Sequence, residues 1–203
     1  MKAALIAALL CVLPALAQTP AAPPAQEAPQ ARPRVQILTS YGPVVVELEP
    51  ALAPKTVANF LRYVKEGHYA GTIFHRVIAG FMIQGGGMLP DLTEKPCHEP
   101  IPNEAAPAFQ GGLRNTRGTI AMARTEDPGS AAAQFYINTA DNAALDYKDP
   151  SAAGAGYCVF GRVVSGMEAV DKIEKVNTIM RKGMQNVPEY AVRIKSAEVV
   201  AAP

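Results

Sequence analysis

Apolar residues in this chain recur at every second position in short runs, broken by glycine, proline and small polar residues. Alternation of that kind marks strands with one face in a core. It predicts strands over 35–39, 44–48, 74–78, 81–84, 119–123, 134–139, 157–164 and 192–200, with Ser40-Tyr41-Gly42-Pro43 turning the first pair into a hairpin. Two stretches carry a helical period instead. Val57, Phe60, Leu61 and Val64 lie between Pro54, which suits a first helical turn, and Gly67, which suits a stop. Met167, Val170 and Ile173 share one face of a second helix over 167–174. Many short strands, two helices and frequent turn residues predict a mainly β domain. The architecture expected is a closed, eight-stranded antiparallel barrel capped by two α-helices, the first plugging one end. No internal repeat is visible, and residues 86–118 form a long connection with little periodicity, a kind usually functional or mobile.

The amino-terminal stretch follows neither pattern. Lys2 precedes the apolar run Ala3–Leu13, which is too short to span a bilayer, and Ala15-Leu16-Ala17 provides a small-x-small end. This predicts a signal peptide over 1–17, cleaved near Ala17, and a periplasmic or secreted product. A buried helix is disfavoured by Lys2 and the Ala-x-Ala end. A lipoprotein anchor is disfavoured because Cys11 follows Leu10 rather than a small residue. Residues 18–33 are almost all Ala, Pro and Gln, too poor in apolar surface to offset ordering entropy, and read as an extended, disordered linker. A spacer and a tail without function are both open readings of it. Residues 34–203 are then one domain, long enough for a real core.

Charge excludes several partners. The chain has 19 basic and 18 acidic residues, and removing the leader takes only Lys2. A balanced chain without a basic block offers no electrostatic case for nucleic acid or anionic lipid, and no run after the leader is long enough for a membrane span. Cys97 and Cys158 remain; Cys158, in the apolar run Tyr157–Phe160, reads as a buried small hydrophobe, and their pairing stays open.

The candidate chemistry is concentrated in Phe74-His-Arg-Val-Ile-Ala-Gly-Phe-Met-Ile-Gln-Gly-Gly-Gly87. Strict alternation places Phe74, Arg76 and Ile78 on one face and His75 and Val77 on the other; after the Ala79-Gly80 turn, Met82 and Gln84 oppose Phe81 and Ile83. A guanidinium among aromatic, thioether and amide groups is costly to place without a purpose. Gly85-Gly86-Gly87 marks a tight bend or a close approach of another chain; without a downstream Gly-Lys-Ser/Thr it is no phosphate loop. His75 has no Ser or Cys nucleophile at a recognisable spacing and reads as a satisfied core histidine. Cys97-His98-Glu99 lacks the second ligand pair of a zinc site, so no metal is predicted.

This segment resembles the active-site signature of the cyclophilins, the peptidyl-prolyl cis-trans isomerases. The resemblance runs from Val35 to Val200 through Asn103-Glu104, Leu113–Ala123, Ser130, Gln134-Phe135-Tyr136-Ile137, Leu145-Asp146 and Val159-Phe160-Gly161. The short connection after Gly87 and the Leu113–Gly118 stretch are most similar to the bacterial exported branch. The resemblance implies that Arg76 is the catalytic arginine and that Gln84 and Gln134 orient it and hold the peptide backbone. It implies that Phe81, Met82, Tyr136 and Leu145 wall the proline pocket, that the peptide lies along Ala123 and Arg124, and that Tyr157 stands where many members have histidine. Three positions depart from the family pattern. Ala144 replaces the rim tryptophan, Tyr136 a phenylalanine and Arg124 an asparagine, and Tyr136 therefore brings a hydroxyl in need of a partner. The implied function is isomerisation of X-Pro bonds in unfolded or exported polypeptides, by a monomer, without metal or cofactor and with weak cyclosporin binding. A non-catalytic proline-peptide-binding or chaperone module on the same fold is the alternative.

Overall fold

A computed structural model describes residues 32–201. The predicted signal peptide and residues 18–31 of the predicted linker lie outside the described residues. Eight strands close into an antiparallel barrel: β1 (Arg34–Thr39), β2 (Gly42–Leu48), β3 (Ile73–Ile78), β4 (Met82–Met88), β5 (Thr119–Met122), β6 (Phe135–Asn138), β7 (Val159–Ser165) and β10 (Val192–Val200). Their order around the barrel is β1-β10-β3-β4-β6-β5-β7-β2, with β2 returning to β1. The sequence reading lacks the small hairpin of β8 (Thr178–Arg181) and β9 (Met184–Pro188), which forms a separate sheet. Ile179 and Met180 are exposed and burial is confined to Val187 and Pro188 at the end of β9, too little to imprint an alternation on this stretch.

Helices α1 (Pro54–Lys65) and α3 (Met167–Glu174) cap opposite ends, as the periodicity predicts. From α1, Phe60 packs edge-on against Phe135 at 5.7 Å and also meets Phe160, both near strand starts, so it fills one mouth of the barrel. From α3, Val170 and Ile173 are fully buried, and Glu174 accepts the Gly80 N–H (2.9 Å) at the β3–β4 turn, the other mouth. Tyr63 belongs to the buried face of α1 in place of Leu61, which is only half-buried. The helix stops at Gly67 (φ 67°): the Gly67 and His68 N–H groups donate back to Val64 and Tyr63 carbonyls (3.1 and 3.0 Å), satisfying the last turn. Its first turn has no local side-chain cap. Glu104 supplies one from 48 residues away, accepting the Lys55 and Thr56 N–H groups at 3.1 and 2.8 Å.

Glu104 opens a third helix, α2 (Ala105–Gln110), inside the stretch expected to be an unstructured connection. That stretch is tied to the barrel. Lys95 N–H donates to the Gly87 carbonyl (2.9 Å), Ile101 N–H to Ala131 (2.8 Å), and Lys95 Nζ reaches the His68 carbonyl at 2.5 Å. Arg32 and Pro33, at the end of the predicted linker, are also bonded to the domain. Arg32 pairs with Glu49 at 3.0 Å and the Pro33 carbonyl accepts the Leu48 N–H at 2.9 Å. Both described cysteines are free, Cys97 exposed and Cys158 buried, and burial pushes the Cys158 thiol up to about 12. Among the described residues no helix is long and apolar enough to cross a membrane.

Candidate active site

The barrel has two apolar systems. One fills its interior; the other, of Met82, Ala121, Ala123, Tyr136 and Val159, lies on the opposite face of the β3-β4-β6-β5-β7 strands, with Ile78, Phe81, Leu145 and Tyr157 packed on it. A two-residue period lets one strand serve both. Ile83, Phe135 and Ile137 point inward, while Met82, Gln84 and Tyr136 point outward.

Strict alternation fails on β3, the strand that carries the arginine. The β3–β4 register pairs Phe74 with Gly85 and Arg76 with Gln84, so His75 is an extra residue on β3. The bulge puts Phe74 in the interior with Val77, its ring 6.0 Å from Phe135, rather than on the outer face with Arg76. Phe81 likewise departs from the simple face assignment. It belongs to the turn before β4, where its carbonyl accepts the Thr139 N–H (3.0 Å) and Asn142 Nδ2 (2.8 Å), and its side chain joins the Met82 side.

The resulting cavity, about 150 Å³, is lined by Arg76, Phe81, Met82, Gln84, Ala123, Arg124, Tyr136, Leu145 and Tyr157. Of the residues expected at the site, only Gln134 is outside this lining. It stands in the adjoining cleft of about 310 Å³, which shares Gln84, Ala123 and Arg124 with the first cavity and adds Lys95, Cys97 and Ser130. The sequence reading did not anticipate this second cleft, because its residues come from β4 and from two connections distant in sequence, 94–97 and 123–134.

Hydrogen bonds orient the polar side of the cavity in one direction. Arg76 Nη1 donates to Gln84 Oε1 (3.3 Å), and Gln84 Nε2 donates to Gln134 Oε1 (3.0 Å). Gln134 lies across Gly87, where a β-carbon would collide with its side chain, and Gly86 (φ 86°) passes where a β-carbon would come within 2.8 Å of Phe135. The glycine run therefore permits close approach on both faces of β4. No carboxylate of the described residues pairs with Arg76, which keeps its remaining donors for whatever enters the cavity.

The apolar wall is equally braced. Tyr136 and Tyr157 meet edge-to-face at 5.9 Å, and the Arg124 guanidinium lies 4.4 Å over the Tyr157 ring while its Nε donates to the Gly156 carbonyl (3.0 Å). The Tyr136 hydroxyl finds its partner in Asn115 Oδ1 at 2.7 Å. Asn115, fully buried, in turn donates its N–H and Nδ2 to Asp146 Oδ1 (2.7 and 3.0 Å), beside Leu145. Burial holds the Tyr136 pKa well above the usual tyrosine value, so the hydroxyl stays a donor. Asn115 and Asp146 were legible only as members of the Leu113–Ala123 and Leu145-Asp146 motifs; nothing local shows that they meet.

His75 is buried, but its Nδ1 has no hydrogen-bond partner, which corrects the expectation of a satisfied core histidine. Burial, reinforced by the Arg76 charge, lowers its pKa to about 4 and keeps it neutral. His98 pairs with Glu66 at 2.6 Å instead of converging with Cys97 and Glu99.

The family model for cyclophilin type peptidyl-prolyl cis-trans isomerases matches residues 34–199. The chain belongs to the cyclophilins. It is 54% identical over 166 residues to a peptidyl-prolyl cis-trans isomerase of Streptomyces antibioticus, covering 82% of this chain and 98% of that one. It is 45% identical over 200 residues to peptidyl-prolyl cis-trans isomerase A of Dickeya dadantii, covering 98% of this chain and 99% of that one. Among solved structures, a cyclophilin type isomerase of Cryptosporidium parvum superposes with a TM-score of 0.71 at 28% identity, over 85% of this chain and all (100%) of that one. This cyclophilin thus shares its closed barrel with structural neighbours and its isomerase class with relatives of much higher identity.

Proposed function

We propose that this cyclophilin accelerates rotation about X-Pro bonds in exported polypeptides, with Arg76 stabilising the twisted amide and the apolar cavity holding the proline ring. The barrier to be lowered is roughly 18–20 kcal/mol and comes from amide resonance. Rotation destroys that resonance and returns a lone pair to the proline nitrogen. A donor aimed at this nitrogen binds the twisted state better than either planar state, which is the condition for acceleration. No bond is made or broken, so no nucleophile or redox step enters. The observation that carries the reading is Arg76, without an acid partner among the described residues and steadied by Gln84 and Gln134, at the edge of a cavity walled by Phe81, Met82, Tyr136, Leu145 and Tyr157. Ala123 and Arg124 border the path of the flanking peptide.

The deciding experiment is a protease-coupled or NMR exchange assay on a short Ala-Pro peptide. Arg76→Ala is expected to lower turnover by about 10²–10³-fold, the usual cost of losing one preorganised donor, while peptide affinity and fold are largely kept. Equal turnover in the two proteins overturns the mechanism. Tight peptide binding with negligible turnover in the wild type would make the chain a proline-peptide-binding or chaperone module instead. Export is supported by Lys2, the Ala3–Leu13 run and Ala15-Leu16-Ala17. Mass analysis of the protein recovered from the periplasm should show cleavage near Ala17; an intact amino terminus there would refute it.

A further inference from the structure

Upstream of the barrel the chain carries its own X-Pro bonds: Thr19-Pro20, Ala22-Pro23, Pro23-Pro24, Ala28-Pro29 and Arg32-Pro33. The described domain fixes where this segment departs. Arg32 pairs with Glu49 at 3.0 Å, and the Glu49 N–H donates to the Phe160 carbonyl at 2.9 Å. Phe160 follows Tyr157, a wall of the proline cavity, by only three residues. Summed along this route, one interstrand spacing, three extended residues and an arginine side chain give a surface path of about 20–25 Å from the point of departure to the cavity.

Chain length then sorts the bonds. Pro29 is three residues from Arg32 and reaches at most about 10 Å, too short. Pro23 is nine residues away and reaches about 31 Å, and Pro20, twelve away, about 41 Å. The Arg32-Pro33 bond is held by the domain itself. Accepting the isomerase reading above, on which this rests, we propose that the Thr19–Pro24 stretch is a substrate of the chain's own cavity in cis, competing there with other polypeptides. A tethered segment of this length is present at an effective concentration of the order of millimolar. It raises the apparent KM for an external peptide by one plus the ratio of that concentration to the segment's own dissociation constant. It leaves kcat unchanged, because saturating substrate displaces it.

The test uses the full chain and the short Ala-Pro peptide. Replacing Pro20, Pro23 and Pro24 by alanine is expected to lower KM by about twofold or more at constant kcat, whereas Pro29→Ala leaves both unchanged. In the wild type, NMR exchange at Ala22-Pro23 should run at least about tenfold faster than at Ala28-Pro29 and be independent of protein concentration. Equal exchange at the two bonds, or an unchanged KM in the triple variant, overturns the proposal. Exchange at Ala22-Pro23 that rises with protein concentration also overturns it, since a second copy would then be the catalyst. If the wild type fails to turn over the external peptide at all, the isomerase reading falls first, and the two failures are distinguished.

Discussion

Tyr136→Phe removes one atom from the wall of the cavity and isolates its contribution. The hydroxyl donates to Asn115 Oδ1 at 2.7 Å, and the residue is 4% exposed, so no bulk water replaces the bond. A net hydrogen bond between neutral groups contributes about 0.5–1.5 kcal/mol. The lower half of that range would apply if the acceptor found a new partner, and Asn115 Oδ1 already has a second donor, Asn138 Nδ2, at 3.2 Å. The aromatic ring, its edge-to-face contact with Tyr157 and the cavity volume are all kept. The expected loss is therefore about 1 kcal/mol, or a fall in Tm of about 2–4 °C for a domain of this size. Because Tyr136 does not ionise at ordinary pH, the loss should be constant from neutral to mildly basic pH. Urea denaturation at several pH values measures it, alongside turnover of an Ala-Pro peptide, which should stay within about twofold because the hydroxyl points away from substrate. A tenfold fall in turnover with unchanged stability would refute this account and turn the hydroxyl toward the bound peptide.

Phe81 is half-buried, so Phe81→Ala should weaken binding of proline peptides yet cost well under the roughly 3–5 kcal/mol of a fully buried ring; a large drop in Tm with unchanged affinity would assign it to the core. His75, with its pKa lowered to about 4 in the folded state against about 6.5 unfolded, binds a proton more readily in the unfolded chain. Stability is then full above about pH 6.5 and falls by about 3 kcal/mol as the pH drops to about 4, with no further loss from this group below that. His75→Gln should flatten the denaturation curve across that window, and parallel curves would exclude His75 as the source. Ala144 is exposed beside a shallow concavity it shares with Arg124 and Tyr157, and gives a cyclic peptide such as cyclosporin neither an indole face nor an N–H. Ala144→Trp should tighten cyclosporin binding by about 1–3 kcal/mol with little change in peptide turnover; tight inhibition of the wild type would refute the assignment of this rim position.

Local pattern alone determined the eight barrel strands and the two capping helices, because burial on one side of a strand or helix writes its period into the chain; the cavity residues were legible only through the resemblance of their motifs to the cyclophilins. The Pro54 start and Gly67 stop of α1 were legible for the same reason, since each residue acts on its own backbone. Tertiary structure decided what local pattern cannot encode. The extra residue at His75 shifts Phe74 into the interior and leaves Arg76 facing the cavity, and a bulge is a relation between two strands. The carboxylate on the first turn of α1 belongs to Glu104, and the partner of the Tyr136 hydroxyl to Asn115, each distant in sequence. A buried polar group must be satisfied, but the physics that demands a partner is indifferent to where along the chain it comes from; only the closed barrel brings these pairs to hydrogen-bonding distance.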